Sequence, residues 1–143
     1  MFNEHFQLDG RSHRERMFAG NPYLADDPAL EQERRRAAML TARFDSTVGD
    51  DDDRRDTILR ELLGRVGAAT IIRPPFRCDY GYQITIGART FANWGLIALD
   101  AGKITIGDDV QIGPNVQLLT VTHPVEPEPR RRMGRLVTDC DRK

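Results

Sequence analysis

The sequence predicts a mainly β protein in which a parallel β-helix, built of stacked triangular coils, follows a small helical hairpin. The tetrapeptide Ile-Thr-Ile-Gly occurs twice, at 84–87 and at 104–107. From residue 106 onward aliphatic or β-branched residues recur every six positions, in two phases set four residues apart: Ile106, Ile112 and Leu118, then Val110, Val116 and Thr122. A period of six fits neither an α-helix nor a β-hairpin, but it is the repeat of one flat side of a β-helix. We therefore expect β-helix coils over residues 66–124.

The spacing of the two tetrapeptides predicts an interruption at one corner of the coils. Three six-residue sides make a coil of about 18 residues. The two copies of Ile-Thr-Ile-Gly nevertheless lie 20 residues apart. We place the surplus around residues 99–103, where a small corner insertion leaves the flat sides unchanged.

The N-terminal segment, residues 1–65, differs in composition and is predicted to be helical. Of its 65 residues 25 are charged, against 18 of the remaining 78. Asp26-Asp27-Pro28 supplies an N-cap and a first-turn proline. The apolar residues that follow have helical spacing: Leu30, Ala37, Leu40 and Phe44. A shorter helix is expected near 12–19 and a third after the acidic run 51–53, whereas 125–143 should form a loop and an irregular tail.

Charge, hydropathy and cysteine content exclude several classes of protein. The 21 basic and 22 acidic residues nearly balance, so no overall field favours nucleic acid or an anionic membrane. No apolar run approaches the roughly 20 residues of a membrane span, and the N-terminus lacks the regions of a signal peptide. Two cysteines, Cys78 and Cys140, are too few for a disulfide framework, so a cytoplasmic location is expected. A three-imidazole zinc site is rejected, because His123 is the single histidine of the β-helix region.

Two polar features each allow two interpretations. His123 follows the repeats directly, where the six-residue pattern breaks into a proline-rich loop. It suits a general base, since its near-neutral pKa allows it to take and return a proton, but it could equally be a loop residue without a role. The run 34–36, three arginines on and beside the apolar stripe, is either an anion site or, as we prefer, a solvated helix face.

Several segments together resemble one family. They are Met17-Phe18-Ala19-Gly20 with Pro22-Tyr23; Pro74 to Tyr82; Phe91-Ala92-Asn93-Trp94; Leu99-Asp100; Ile106-Gly107-Asp108; Ile112 to Val116; and Thr122-His123-Pro124. The chain is similar, over about residues 14–135, to the maltose/galactoside O-acetyltransferase group, with the nodulation-factor acetyltransferases, of the left-handed β-helix superfamily. The resemblance implies a left-handed parallel β-helix that acts as a homotrimer with sites between subunits. It also implies transfer of an acetyl group from acetyl-CoA, as co-substrate and without a metal, to a sugar hydroxyl.

The resemblance also implies roles for individual residues. His123 aligns with the catalytic base of the family. Asp79, Asn93 and Asp100 align with the region that contacts the acceptor, and Tyr80 and Tyr82 stand beside Asp79. Three alternatives stay open: that Asn93 fills an internal ladder of the coil, that Asp100 caps the corner insertion, and that the 79–82 segment only closes the first coil.

The chain also departs from the pattern of the family. Gly95 and Ala101 replace an amide and a second acid that many members carry, which implies altered acceptor binding. After Arg135 no further Ile-Gly repeats follow, so we expect a truncated member whose CoA-binding positions mostly lie beyond Lys143. The alternative to a sugar O-acetyltransferase is therefore a non-catalytic remnant, which would serve as an oligomerising or sugar-binding module.

Overall fold

The fold combines helices with a coil of short strands. The computed structural model describes residues 9–47, 49, 51–123, 125, 127 and 130, and the backbone of 136–139. The helices are α1 (His13–Phe18), α2 (Pro28–Asp45) and α3 (Asp52–Leu62). The strands are β1 (Tyr23–Leu24), β2 (Arg65–Val66), β3 (Ile71–Ile72), β4 (Phe76–Cys78), β5 (Ile84–Ile86), β6 (Phe91–Ala92), β7 (Leu96–Leu99), β8 (Ile104–Ile106), β9 (Gln111–Ile112), β10 (Gln117–Leu119), β11 (Val121–Thr122) and β12 (Leu136–Asp139).

Side-chain caps set the beginnings of the first two helices. Ser12 and Glu15 form a reciprocal capping box at α1, with the Ser12 amide donating to the Glu15 carboxylate at 2.7 Å. Asp27 Oδ1 accepts from the amides of Ala29 and Leu30 at 3.0 and 3.2 Å, and Pro28 follows in the first turn of α2. The predicted cap at Asp27 is thus confirmed.

The strands form three walls of parallel sheet. Their orders are β2-β5-β8, β3-β6-β9 and β4-β7-β10. Within these three walls every described pairing joins residues 20 apart, as in Val66↔Ile86↔Ile106. Residues at the inward positions of the middle coil, such as Ile86, Ala92 and Ala98, are buried. The predicted parallel β-helix with stacked coils is therefore confirmed.

The corner insertion predicted at 99–103 belongs to a series. The third wall ends at Cys78 in one coil and at Leu99 in the next, and the first wall resumes at Ile84 and Ile104. Loops 79–83 and 100–103 therefore stack at one corner, and 120–123 continues the series above them. The 20-residue period arises because each coil carries the longer loop at the same corner.

A second corner is compact and closed by threonines. Ala69, Arg89 and Asp109 lie there 20 residues apart, all with φ between 54° and 57°. Thr90 is buried at this corner, where its hydroxyl donates to the Gly107 carbonyl at 2.8 Å and accepts from the Val110 amide at 3.2 Å. Such hydrogen bonds between coils satisfy backbone amides and carbonyls at the corner that have no partner in the short strands.

One hydrophobic core joins the helices to the coils. Its buried members include Leu40, Phe44, Ile58, Leu62, Phe76, Ile84 and Leu96. The rings of Phe44 on α2 and Phe76 on β4 meet edge to face, with 6.5 Å between centroids. Asp45, at the end of α2, accepts from the Phe76 amide at 3.0 Å. The helices therefore cover the first coil, which explains how so small a helical segment buries its apolar stripe.

The tail differs from the sequence prediction. Residues 136–139 form strand β12, which pairs antiparallel with β1 on one side and β11 on the other. The prediction of an irregular tail over 125–143 is wrong for these four residues. The strand is ordered by hydrogen bonds to partners far away in sequence, so no local periodicity predicts it.

None of the helices that the structure describes is long and apolar enough to cross a membrane.

Candidate active site

A cavity of about 330 Å³ opens at the corner where the longer loops stack. It is lined by Tyr23, Ala25, Glu31, Arg34, Asp79, Tyr80, Leu99, Val121 and His123. The β-helix contributes residues from successive coils, and β1 and α2 close the cavity from the N-terminal side. The site therefore needs both parts of the chain.

His123 lies at the exposed edge of this cavity. It follows β11 directly, and β11 is held by its antiparallel pairing with β12. Since β12 also pairs with β1, the same small sheet brings His123 and Tyr23 to one cavity. An imidazole on a loop that leaves a rigid wall, at the edge of a cavity, is of a type suited to proton transfer with a bound molecule.

Asp79 and Tyr80 form the wall of the cavity below His123. Both come from loop 79–83, which follows β4. Burial raises the pKa of the Asp79 carboxyl above its ordinary value, the charge of Asp100 raises it further, and Arg34 opposes the change. Burial also raises the pKa of the Tyr80 hydroxyl, which accepts a hydrogen bond from Arg34 at 3.1 Å. Tyr80 therefore stays neutral.

Arg34 is a cavity residue that the sequence prediction missed. Its guanidinium donates to the Tyr80 hydroxyl, to the Ala25 carbonyl and to Glu31, the last at 2.8 Å. Its side chain is 23% exposed, against 75% for that of Arg35. The preferred interpretation of the run 34–36 as a solvated face is thus wrong for Arg34. The signal was its position one helical turn after buried Leu30, on the stripe that faces the protein.

Asp100 lies behind the cavity wall. It is fully buried, with 0% exposure. Its Oδ1 accepts from the amides of Asp79 and Tyr80 at 3.1 and 2.8 Å, and its Oδ2 accepts from the Gln83 amide at 3.2 Å. Burial raises the pKa of this carboxyl, and the backbone hydrogen bonds oppose the rise. Of the two interpretations left open by the sequence, the cap of a corner loop describes these contacts.

Tyr82 points toward the helices. Its hydroxyl donates to Glu33 at 2.6 Å, and its ring meets that of Phe18 edge to face. Arg14 pairs with the same Glu33 at 2.9 Å. Burial first, and then Glu33, raise the pKa of the Tyr82 hydroxyl, which therefore stays protonated. Tyr82 contacts Tyr80 with 5.5 Å between ring centroids and so supports the cavity wall from outside.

Asn93 lies at a different corner of the same chain. It follows β6, and its Oδ1 accepts from the Trp94 amide at 2.9 Å. The four residues of β7 separate it from the cavity, a length of roughly 13 Å at about 3.3 Å per residue. The structure thus brings together His123, Asp79 and Tyr80 at one cavity, sets Asp100 and Tyr82 behind it, and leaves Asn93 apart.

The chain is similar to named acetyltransferases over most of its length. A sequence profile described as "Maltose acetyltransferase hexapeptide capping motif" matches residues 16–67. Nodulation protein L of Rhizobium meliloti (strain 1021) is 44% identical over 130 residues, which cover 89% of this chain and 71% of that protein. The crystal structure of a maltose O-acetyltransferase from Clostridium difficile 630 superposes with a TM-score of 0.87 and 38% identity, covering 92% of this chain and 69% of that one. The chain belongs to the maltose/galactoside O-acetyltransferase family.

This family membership also fixes the hand of the coils. The neighbours are hexapeptide-repeat acetyltransferases, so the three-walled coil is the left-handed parallel β-helix of that family, as the resemblance implied. A galactoside O-acetyltransferase of Escherichia coli (strain K12) is 33% identical over 117 residues, which cover 82% of this chain and 58% of that protein. Solved relatives include a hexapeptide-repeat acetyltransferase of Vibrio cholerae in complex with acetyl coenzyme A.

Proposed function

We propose that this chain is an acetyl-CoA-dependent O-acetyltransferase that acetylates a hydroxyl of a sugar. The observation that carries the proposal is the meeting of His123, Asp79 and Arg34 at one cavity, built by stacked corner loops, in a chain of this family. A histidine suits the abstraction of a hydroxyl proton, and a carboxylate beside a guanidinium suits the binding of a molecule rich in hydroxyls.

The reaction needs one base and no covalent enzyme intermediate. A ring nitrogen of His123 takes the proton of the acceptor hydroxyl while that oxygen attacks the thioester carbonyl carbon of acetyl-CoA. The tetrahedral adduct then expels the CoA thiolate, which forms the sugar ester. The imidazolium returns its proton to that sulfur, so the products are the acetylated sugar and CoA.

The acceptor is held by the wall below the histidine. The Asp79 carboxylate accepts hydrogen bonds from sugar hydroxyls, and Arg34, fixed by three partners, donates to them where its geometry allows. Tyr80 shapes the floor of the cavity. Tyr82 and Asp100 act on the acceptor through these neighbours.

We propose further that the enzyme is a homotrimer in which Asn93 of one subunit meets the cavity of another. Asn93 cannot reach its own cavity, and apolar side chains near it are open to solvent: Ile71 is 51% exposed and Trp94 is 54% exposed. Covering such side chains favours association. Sedimentation equilibrium that returned the mass of a single chain would contradict this part. A cytoplasmic location completes the proposal.

The decisive variant is His123→Ala. We expect the wild-type chain to release thiol from acetyl-CoA in the presence of maltose, glucose or a galactoside. Loss of the general base should lower kcat by about 10²–10⁴-fold. Thr105→Ala, an exposed change on another wall, should retain the wild-type rate.

Two results would count against the proposal. An unchanged rate in His123→Ala would remove the histidine from the chemistry. Absence of acetyl transfer by the wild-type chain, with a sugar still bound in calorimetry, would favour a non-catalytic sugar-binding module.

A further inference from the structure

Loop 79–83, which carries the cavity wall, is fixed by contacts from two sides. Gly81 lies against the end of α3, where an added Cβ would come within 2.5 Å of the Leu62 carbonyl oxygen. On the other side, the amides of residues 79, 80 and 83 all donate to the carboxylate of Asp100, one coil above. In return, the Gln83 side-chain amide donates a hydrogen bond to the Asp100 backbone carbonyl at 2.9 Å. The shape of the loop thus depends on one buried side chain.

We infer that Asp100 is a positioning residue of the acceptor site, which holds Asp79 and Tyr80 in place through their backbone amides. The inference rests on the proposed function and differs from the role in acceptor contact that the sequence suggested. Asp100 is fully buried, so its carboxylate is occupied with the loop below. Without it, three amides would lose their acceptor in a setting where water replaces it poorly, and the loop would rearrange to satisfy them.

The next coil repeats this arrangement, which indicates a feature of the corner. Thr120 stands 20 residues after Asp100. Its hydroxyl accepts from the Gly102 amide at 2.8 Å and donates to the Leu99 carbonyl at 2.7 Å. Each coil thus supplies one polar side chain that fixes the corner loop beneath it. Loop 79–83, the end of β7 at Leu99 and the segment that carries His123 line the same cavity.

Thr90 offers a matched control. It is also buried and also bonds between coils, donating to Gly107 and accepting from Val110, but it lies at the compact corner away from the cavity. Thr90→Val removes bonds of the same kind without touching loop 79–83. A purely structural role for Asp100 would make the two sites equivalent in their kinetic effect.

The test compares Asp100→Asn, Asp100→Ala and Thr90→Val. We expect Asp100→Ala to raise the KM for the sugar by about tenfold or more, with the KM for acetyl-CoA changed less than about twofold. Asp100→Asn should give a smaller rise, because its amide oxygen still accepts from part of the loop. Thr90→Val should leave both constants unchanged. Equal rises in both KM values, the same acceptor effect in Thr90→Val, or wild-type constants in Asp100→Ala would overturn the inference.

Amide hydrogen exchange tests the inference independently of activity. Asp100→Asn should speed exchange by about tenfold or more at one or more of the amides of residues 79, 80 and 83, and leave Val110 unchanged. Thr90→Val should show the reverse pattern. If the wild type transfers no acetyl group, the proposed function fails while this measurement still decides the role of Asp100. Wild-type protection of all three amides in Asp100→Asn would refute it.

Discussion

Arg34 owes its place in the cavity to one helical turn. Three consecutive arginines have the same chemistry, yet α2 turns the first toward Tyr80, leaves the second pairing with Glu31 at the surface, and points the third to the Glu61 carbonyl. The rotation of about 100° per residue decides which of them reaches the cavity.

Arg34→Gln and Arg35→Gln should therefore differ in effect. Arg34→Gln removes the guanidinium that fixes Tyr80 and faces the cavity, so we expect the KM for the sugar to rise by about tenfold, with little change in the KM for acetyl-CoA. Arg35→Gln loses only an exposed ion pair and should retain wild-type constants. Steady-state kinetics with both substrates varied makes the comparison. Equal behaviour of the two variants would contradict the assignment of Arg34.

Asp79 and Asp109 should respond in opposite directions to the removal of their charge. Folding raises the pKa of Asp79, so the folded state binds a proton more readily than the unfolded chain, and ionisation at neutral pH costs stability. Arg89 lowers the pKa of Asp109, so ionisation there favours the folded state. At pH 7 we expect Asp79→Asn to raise the free energy of unfolding and Asp109→Asn to lower it.

Urea denaturation at pH 7 and at pH 3 checks this pair. Both differences from the wild type should shrink at pH 3. Asp79 is then largely protonated in both states, and the contribution of Asp109 declines as the pH falls below the ordinary pKa of an aspartate toward its lowered pKa in the folded state. A stabilised Asp79→Asn that binds sugar poorly would show that the site keeps an unfavourable charge for its function. A destabilised Asp79→Asn at pH 7 would contradict the argument.

At the level of elements, α2 connects the cavity to the core. Its first turns carry Glu31 and Arg34, and its last turns carry Phe44 and Asp45, which contact β4. The beginning of the helix therefore matters to the site. The Asp27 cap fixes that beginning.

Asp27→Ala should lower the free energy of unfolding by about 1 kcal/mol, because two amides of the first turn of α2 lose their acceptor. Asp26→Ala is the matched control, since Asp26 is exposed and precedes the cap. Urea denaturation followed by circular dichroism measures both. If Asp26→Ala lowered the free energy of unfolding as much as Asp27→Ala, the effect would come from the loss of a negative charge near the helix and not from the loss of the cap.

The walls could be predicted from sequence because their inward residues repeat at fixed intervals. Ile106, Ile112 and Leu118 show the six-residue repeat directly. Asp27-Pro28 indicates the start of α2, because an aspartate followed by a proline is typical of a helix N-terminus. The corner loops have no such period. The surplus residues near 99–103 were visible in the spacing, but their stacking on 79–83 depends on pairings 20 residues apart.

The site was only partly predictable for the same reason. His123 stands out by its position at the end of the repeats, whereas Arg34 becomes a cavity residue only because α2 packs across the loop that carries Tyr80. The burial of Asp100 also depends on the coil below it. Contacts between distant segments decided these roles, and a single sequence does not display them.

For the whole molecule, the shared core predicts that helices and coils unfold together. Phe76 is fully buried between α2 and the first coil. Phe76→Ala should lower the free energy of unfolding by about 3–5 kcal/mol through lost burial and a cavity. Leu119→Ala, at a half-exposed side chain, should cost much less.

Two spectroscopic probes test this cooperativity. Circular dichroism follows the helices, and the fluorescence of Trp94, the one tryptophan of the chain, follows the coils. Both transitions should shift together in Phe76→Ala. A fluorescence transition that stays at the wild-type urea concentration would show that the coils fold independently of the helices.

The stacked corner loops have a consequence for redesign. Because these loops lie outside the three walls, exchanging them leaves unchanged the inward-facing apolar residues of the strands that drive folding. Asp100, on one loop, accepts hydrogen bonds from the backbone of the loop beneath, so segments 79–83 and 100–103 should be exchanged together. Grafting both segments from a relative should transfer the sugar preference of that relative. Grafting either segment alone should break the hydrogen bonds between residue 100 and the backbone of loop 79–83.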